Sequence, residues 1–379
     1  MSEPVVPPSP NTSTPRVLLV ANSSWNLFHF RRPLLEGLHR SGARILLAAA
    51  GSDPGGWPVP VHYHRIDGLD GGLLTSPGTL RRLRRLLRRT RPRLVLSFTI
   101  KPNLLLGVAC RWMRIPQLAT LTGLGYAHSG AWLRWSSLLL YRACLSKATV
   151  ICHNADDART LQRWRTNGAS APRVIAGSGV DTERFTATPL PPRGSTLQLL
   201  FIGRLLHDKG IAELVRAVDK LRHTGASLHL HVVGALYPDN PAALTTEEWD
   251  RLRASPAVTW HGRAADVRPY LRACHVFALP SYREGLPMSS LEAMATARPL
   301  LTTDVPGCRE TVVPGRNGWL VPARSTVALE TALRTVLVTD FDQLAAYGRY
   351  SRQLVLERFS AERIVAAYAA LWTPLLRRP

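Results

Sequence analysis

The feature that most constrains this chain is an alternation of two periodicities, repeated in two series. Short apolar runs at 17–21, 45–50, 94–98, 117–121, 149–152 and 174–176 are bounded by Gly, Pro, Ser or Asn and separated by helical stretches. Continuous apolar runs between amphipathic helices are what a parallel sheet with crossover helices requires. The alternation then stops at Thr-Ala-Thr-Pro-Leu-Pro-Pro-Arg-Gly-Ser, residues 186–195, whose composition is that of a linker. A second series follows at 197–202, 228–233, 258–260, 276–279, 300–303 and 319–321. With 379 residues to bury, two doubly wound α/β domains are expected. The expected order is a disordered tail (1–15), a first domain (16–187), a linker (188–196), a second domain (197–350) and a C-terminal helix (351–379). That last helix is expected to pack back on the first domain. In open parallel sheets ligands lie beyond the carboxyl ends of the strands, so the residues just after each run are where chemistry is sought.

Composition narrows the class. Hydrophobic residues make up 45% and charged residues 20%, as in a folded globular protein, and no run of about 18 apolar residues offers a membrane span. The opening MSEPVVPPSPNTSTP has neither the basic start nor the apolar stretch of a secretory signal. Cys110, Cys144, Cys152, Cys274 and Cys308 are odd in number and form no CxxC pair. They read as reduced residues in or near the cores of a cytoplasmic protein. A formal charge of +22 must attract anions. An arginine-rich coding bias competes with a functional cause, but the charge is concentrated. Within residues 80–93, Leu80, Leu83, Leu86 and Leu87 share one helical face and the arginines take the other. That pattern predicts a core-packed helix whose basic face, residues 81–93, suits the inner surface of an anionic membrane. No helix-turn-helix, RRM or zinc-finger pattern accompanies the charge, so a nucleic-acid partner is not expected.

Two stretches could carry chemistry. In Phe201-Ile-Gly-Arg-Leu-Leu-His-Asp-Lys-Gly210 a strand ends at Gly203 and Arg204, and a helix capped by Asp208 is expected to follow. Gly203 lets a ligand approach the main chain. Arg204 and Lys209, five residues apart across a turn, can converge on one diphosphate, unless both are merely solvated surface charges. In Ser281-Tyr-Arg-Glu-Gly-Leu-Pro-Met-Ser-Ser-Leu-Glu292, a loop holding Glu284, Gly285 and Leu286 precedes a helix begun at Pro287. The unpaired amides of Met288 and Ser289 would receive a phosphate. Glu284 then reaches a sugar hydroxyl, while Glu292, two turns on, accepts bonds from a ribose. No Asp-x-Asp and no cluster with metal-ligand spacing occurs, so no metal is expected and the cations and helix amides would stabilise a leaving group.

Together with His261-Gly262 and the Gly315-x-Asn-Gly318 turn, these motifs resemble the retaining glycosyltransferases of family 4 over roughly residues 16–370. The resemblance implies a GT-B fold, in which two Rossmann-like domains face a central cleft. It implies that Arg204 and Lys209 neutralise the donor diphosphate, that Glu284 contacts the transferred sugar and that Glu292 holds the ribose. His261 and Arg263 would line the nucleobase pocket of a UDP-sugar, which is a substrate, and no cofactor is implied. The stretches Asn22–Arg31, Phe98–Asn103 and Leu121–Gly125 resemble the bacterial members that extend undecaprenyl-diphosphate-linked sugars. On that likeness Asn26, Phe28, Lys101, Thr122, Gly123 and His128 are candidate residues for a lipid-linked acceptor. Many family members place a His-Gly pair where this chain has Thr122-Gly123, so either that His is dispensed with or His128 or His29 replaces it. A UDP-N-acetylglucosamine epimerase and a transferase with a soluble acceptor are the alternatives on the same fold.

Overall fold

The computed structural model describes residues 14–71, 77–124, 131–163, 170–192 and 194–377, with only the backbone of 131–137. In chain order the first half gives β1 (Arg16–Ser23), α1 (Ser24–Phe30), α2 (Arg32–Arg40), β2 (Arg44–Ala50), β3 (Val61–Arg65) and α3 (Pro77–Thr90). It continues with β4 (Leu94–Phe98), α4 (Ile100–Met113), β5 (Gln117–Leu121), α5 (Ala131–Cys144), β6 (Thr149–Cys152), α6 (Ala155–Gln162) and β7 (Arg173–Val174). The second half gives β8 (Leu197–Ile202), α7 (Ile211–His223), β9 (Leu228–Val233), α8 (Thr246–Arg253), β10 (Val258–Trp260), α9 (Arg268–Ala273), β11 (Val276–Leu279) and α10 (Met288–Ala295). It closes with β12 (Leu300–Thr303), β13 (Gly318–Val321), α11 (Thr326–Val338), α12 (Phe341–Arg358) and α13 (Ala361–Leu376).

Two sheets form, ordered β3-β2-β1-β4-β5-β6-β7 and β10-β9-β8-β11-β12-β13. Strand order reverses beside β1 in the first and beside β8 in the second, which are the switch points where such sheets bind ligands. The strands pair in parallel, for example Leu18 with Leu46 and Val95, and Leu199 with Leu230. The doubly wound α/β expectation is therefore met in both halves.

By compactness the chain falls into two units that do not follow the sheets. One reaches to Ala119 and takes in the chain from Ala369, and the other runs Thr120–Tyr368. In the first, Leu18, Val20, Leu46 and Val95 pack under α3 and α4, with Leu83, Leu86 and Leu87 buried from α3. In the second, Leu199, Phe201 and Phe277 pack with Leu214 and Val218 of α7, Leu291 of α10 and Leu333 of α11. All five cysteines are free thiols. Four are buried and Cys144 is half-buried, and burial pushes Cys110, Cys274 and Cys308 up to about 12.

Four local expectations need correction. The edge strand β3 was missing from the reading, because its sequence, Val-His-Tyr-His-Arg, alternates with histidines instead of forming an apolar run. The run expected at 174–176 is a two-residue strand, Arg173–Val174. Asp208 caps no helix. It lies in a single 3-10 turn, His207–Lys209, and α7 begins after Gly210 at φ 68°. The C-terminal segment is two helices, because Val180 donates to the Phe359 carbonyl (3.0 Å) and accepts from Ala361 (2.9 Å), taking backbone groups a continuous helix would use. The tail through residue 13 lies outside the described residues.

Candidate functional site

The carboxyl ends of β8 and β11 carry the two motifs, both within the Thr120–Tyr368 unit. Beyond β8, the turn His207–Lys209 is set against the next strand's loop by a bond from the Tyr282 amide to the Asp208 carbonyl, 2.8 Å. That places Lys209 Nζ on Glu284 Oε1 as an ion pair, with both side chains mostly buried. Ser281 Oγ donates to the same Oε1 at 2.8 Å. One oxygen of Glu284 is thus held by a cation and a hydroxyl, leaving Oε2 for another donor. Arg204 is exposed, its guanidinium 5.7 Å from the Tyr237 ring centroid, and it forms no ion pair among the described residues. The structure joins Lys209 to Glu284 and leaves Arg204 on the rim.

Main chain fixes the position of Glu284. Its amide donates to the Pro306 carbonyl (3.2 Å), and Asn154 Nδ2 donates to the Gly285 carbonyl (2.8 Å). A Cβ on Gly285 would overlap the Thr122 carbonyl, and one on Gly307 would overlap the Glu284 carbonyl. Arg283 reaches back to the buried Asp157 on α6. Asp157 is pushed up by burial, against Arg283 and Asn154, which pull it down. The sequence reading missed Asn154, Asp157 and Arg283, whose partners lie 131, 126 and 126 residues away, and Ser281, whose partner Glu284 is only 3 residues on but whose hydroxyl carries no motif signal. Ser281 and Arg283 stood within the quoted motif, Asn154 and Asp157 outside it.

Leu286 and Pro287 are buried and α10 starts at Met288, so the first amides of Met288 and Ser289 have no intrahelical partner and are available to an anion. Glu292 sits one turn further in. Burial pushes it up to about 7, with Arg184 pulling it down and Asp266 pushing it up. A carboxyl so placed ionises, its proton leaving to solvent, when a ligand offers hydroxyl donors to its oxygens.

A chain of hydrogen bonds sets His261, which follows β10. Gln198 Nε2 donates to the Thr196 carbonyl (3.2 Å), so its Oε1 accepts from His231 Nε2 (3.0 Å). His231 Nδ1 is then the acceptor for His261 Nε2–H (3.0 Å). His261 Nδ1 is left as a bare acceptor, with Tyr270 tilted against the ring at 4.7 Å. His231 stays neutral because burial, then His229 and His261, push it down to about 4. Arg263 is exposed.

The acceptor candidates divide. Thr122 and Gly123, after β5, lie against Gly285. Asn26 and Phe28 lie on α1 in the other unit, Phe28 edge-on to Trp57 at 5.4 Å, and Asn26 has a buried Oδ1 with no partner. Lys101, on α4, is buried and donates to the Gly71 carbonyl at 3.3 Å. His29 is exposed on α1, its Nδ1 3.0 Å from the Trp25 carbonyl. His128 lies outside the described residues, as do the side chains of Trp132 and Trp135.

Two sequence families tile this architecture. The "Glycosyl transferases group 1" family matches residues 196–339, and the "Glycosyl transferase 4-like domain" matches residues 30–176. Each half of the chain thus matches a glycosyltransferase family model. WcaL of Salmonella typhimurium, named for colanic acid biosynthesis, is 29% identical over 55% of this chain and 53% of its own. CapM of Staphylococcus aureus, a capsular polysaccharide biosynthesis glycosyltransferase, is 28% identical over 47% and 46%. The chain thus spans about half the length of the curated relatives it matches. Among solved structures, a sucrose-phosphate synthase from Thermosynechococcus elongatus superposes with a TM-score of 0.78 at 22% identity, covering 95% of this chain and 99% of that one. Anabaena HepE, solved with UDP and glucose, gives 0.75 at 18% identity, covering 94% and 99%. The fold is GT-B.

Proposed function

We propose that this protein is a retaining glycosyltransferase that moves a hexose or N-acetylhexosamine from a UDP-sugar to a lipid-diphosphate-linked sugar, in surface polysaccharide or glycan assembly. The single observation that carries the reading is Lys209 and Ser281 converging on one oxygen of Glu284, in the loop that leads into the first amides of α10. That arrangement suits a phosphate and a sugar lying side by side. The diphosphate is taken by the amides of Met288 and Ser289, by Lys209, which has three donors to share between Glu284 and a phosphate oxygen, and by Arg204 swinging in from the rim. Glu292 accepts the ribose hydroxyls, and His261 Nδ1 meets a donor on the base. Glu284 orients the sugar and is neither nucleophile nor acid.

In the reaction, the bond from the anomeric carbon to the β-phosphate oxygen breaks as the acceptor oxygen bonds the same face. The acceptor proton passes to the departing phosphate oxygen. Charge on that oxygen is met by Lys209, Arg204 and the helix amides, so the residues in place suffice without a divalent ion. The lipid acceptor accounts for the exposed Arg81, Arg82, Arg85, Arg88 and Arg89 on α3, which would hold the protein to the anionic inner face of the cytoplasmic membrane. Among the described residues no helix is long and apolar enough to cross a membrane.

The test is a screen of radiolabelled UDP-sugars against lipid-linked acceptors, with a chelator present and products separated by chromatography. One sugar should transfer with retained configuration, and Glu284→Ala should abolish transfer in a protein with unchanged circular dichroism. Full activity in that variant would sink the assignment.

A further inference from the structure

At the opposite, amino-terminal edge of the first sheet lies a cleft of about 770 Å³ lined by Thr14, Pro15, Arg16, Arg44, Arg91 and Arg93. We infer that this cleft is a second anion site, built for a phosphate or diphosphate group and separate from the donor site. Arg16 and Arg44 are register partners on adjacent parallel strands, where like charges oppose each other unfavourably. The Arg44 amide bonds the Pro15 carbonyl and the Arg93 amide bonds the Arg16 carbonyl, both within 2.9 Å, so the backbone fixes three of the four arginines.

Among the described residues no carboxylate offsets them. Among the described residues none of the four arginines forms an ion pair. Arg16 Nη1 donates to the Thr90 carbonyl (2.9 Å), Arg93 Nη1 to the Leu376 carbonyl (3.2 Å), and Arg44 Nη2 contacts His62 Nε2 (2.8 Å). Closing helix ends in this way is the ordinary use of an arginine, but it occupies one of five donors in each. The remaining forks suit the bidentate recognition of phosphate.

Arg91 adds an independent observation. It sits just past α3 at φ 45°, the left-handed position where helices favour glycine. A side chain there costs roughly 1 kcal/mol, and here that side chain is a further guanidinium lining the cleft. Glycine at this position would relieve the backbone and remove the guanidinium from the cleft.

The test uses the full chain carrying Arg204→Ala and Lys209→Ala, so that the donor site does not report. Inorganic pyrophosphate is titrated by calorimetry at low salt. Vesicles with and without phosphatidic acid are assayed by flotation. Arg16→Gln with Arg44→Gln should weaken pyrophosphate binding at least tenfold. Arg91→Gly, which relieves the left-handed backbone and so protects the fold, should weaken it several-fold while raising the melting temperature. If vesicle binding falls with pyrophosphate binding, the ligand is a lipid headgroup phosphate. If only pyrophosphate binding falls, it is a free phosphorylated molecule. Undiminished pyrophosphate binding in Arg91→Gly and in the double variant overturns the inference.

Discussion

At the residue scale, the protonation of Glu292 and the hydrogen-bonded orientation of His261 lead to predictions. Glu292, held near 7 by burial, binds a proton in the folded state that an unfolded glutamate has already lost between about pH 4.5 and 7. Its burial therefore destabilises the ligand-free fold increasingly as pH rises through that window. Ribose hydroxyls donating to the carboxylate reverse the preference. Binding of UDP near pH 7 should release a proton, seen as a calorimetric enthalpy that depends on the buffer's ionisation heat. Glu292→Gln should bind without that dependence. At His261, Gln198→Leu removes the bond that fixes the tautomer. The loss of about 1 kcal/mol of oriented binding should raise the donor KM about fivefold and leave kcat unchanged, because the effect is uniform across ground and transition states. An unchanged KM would show that the relay does not reach the ligand. Glu284 and Glu292 were legible in sequence because a strand, a loop and a helix start lie consecutively around them. Gln198 and His231, which set the ring of His261, were not, since parallel pairing of β8, β9 and β10 brings together residues 30 or more apart.

At the scale of elements, the β11–α10 loop is held by backbone contacts. Gly307, at φ 82°, leaves no room for a Cβ beside the Glu284 carbonyl. Gly307→Ala should cost roughly 1–3 kcal/mol and displace Glu284, lowering kcat about 100-fold while the donor still binds. A melting curve and steady-state kinetics check both. The helices and central strands were legible because their period is strong. The elements misread, β3, the 3-10 turn and the break before α13, are those whose shape is decided by partners elsewhere in the chain. For β3 that partner is β2, and for the break it is Val180.

At the scale of the whole molecule, the charge of +22 is uneven in its consequences. Around Glu284 and Asp157 it is locally paired, whereas the arginines on the outer face of α3 make no ion pair among the described residues. Attraction through that face acts over a Debye length of about 10 Å at 0.1 M salt. Flotation with anionic vesicles should accordingly be lost between low and moderately high salt. Replacing Arg81, Arg85, Arg88 and Arg89 with Gln should remove most of it while Leu83, Leu86 and Leu87 keep the helix in its core. Vesicle binding that ignores both salt and these substitutions would point to an apolar anchor instead.

The peptide joining Glu284 to Gly285 touches its surroundings through main chain, at Thr122, Pro306 and Gly307. Evolution can therefore exchange the side chain at 122 without moving the carboxylate beside it. On the proposed function, Thr122 in place of a His leaves the Glu284 carboxylate, and with it the grip on the nucleotide-sugar, where it was.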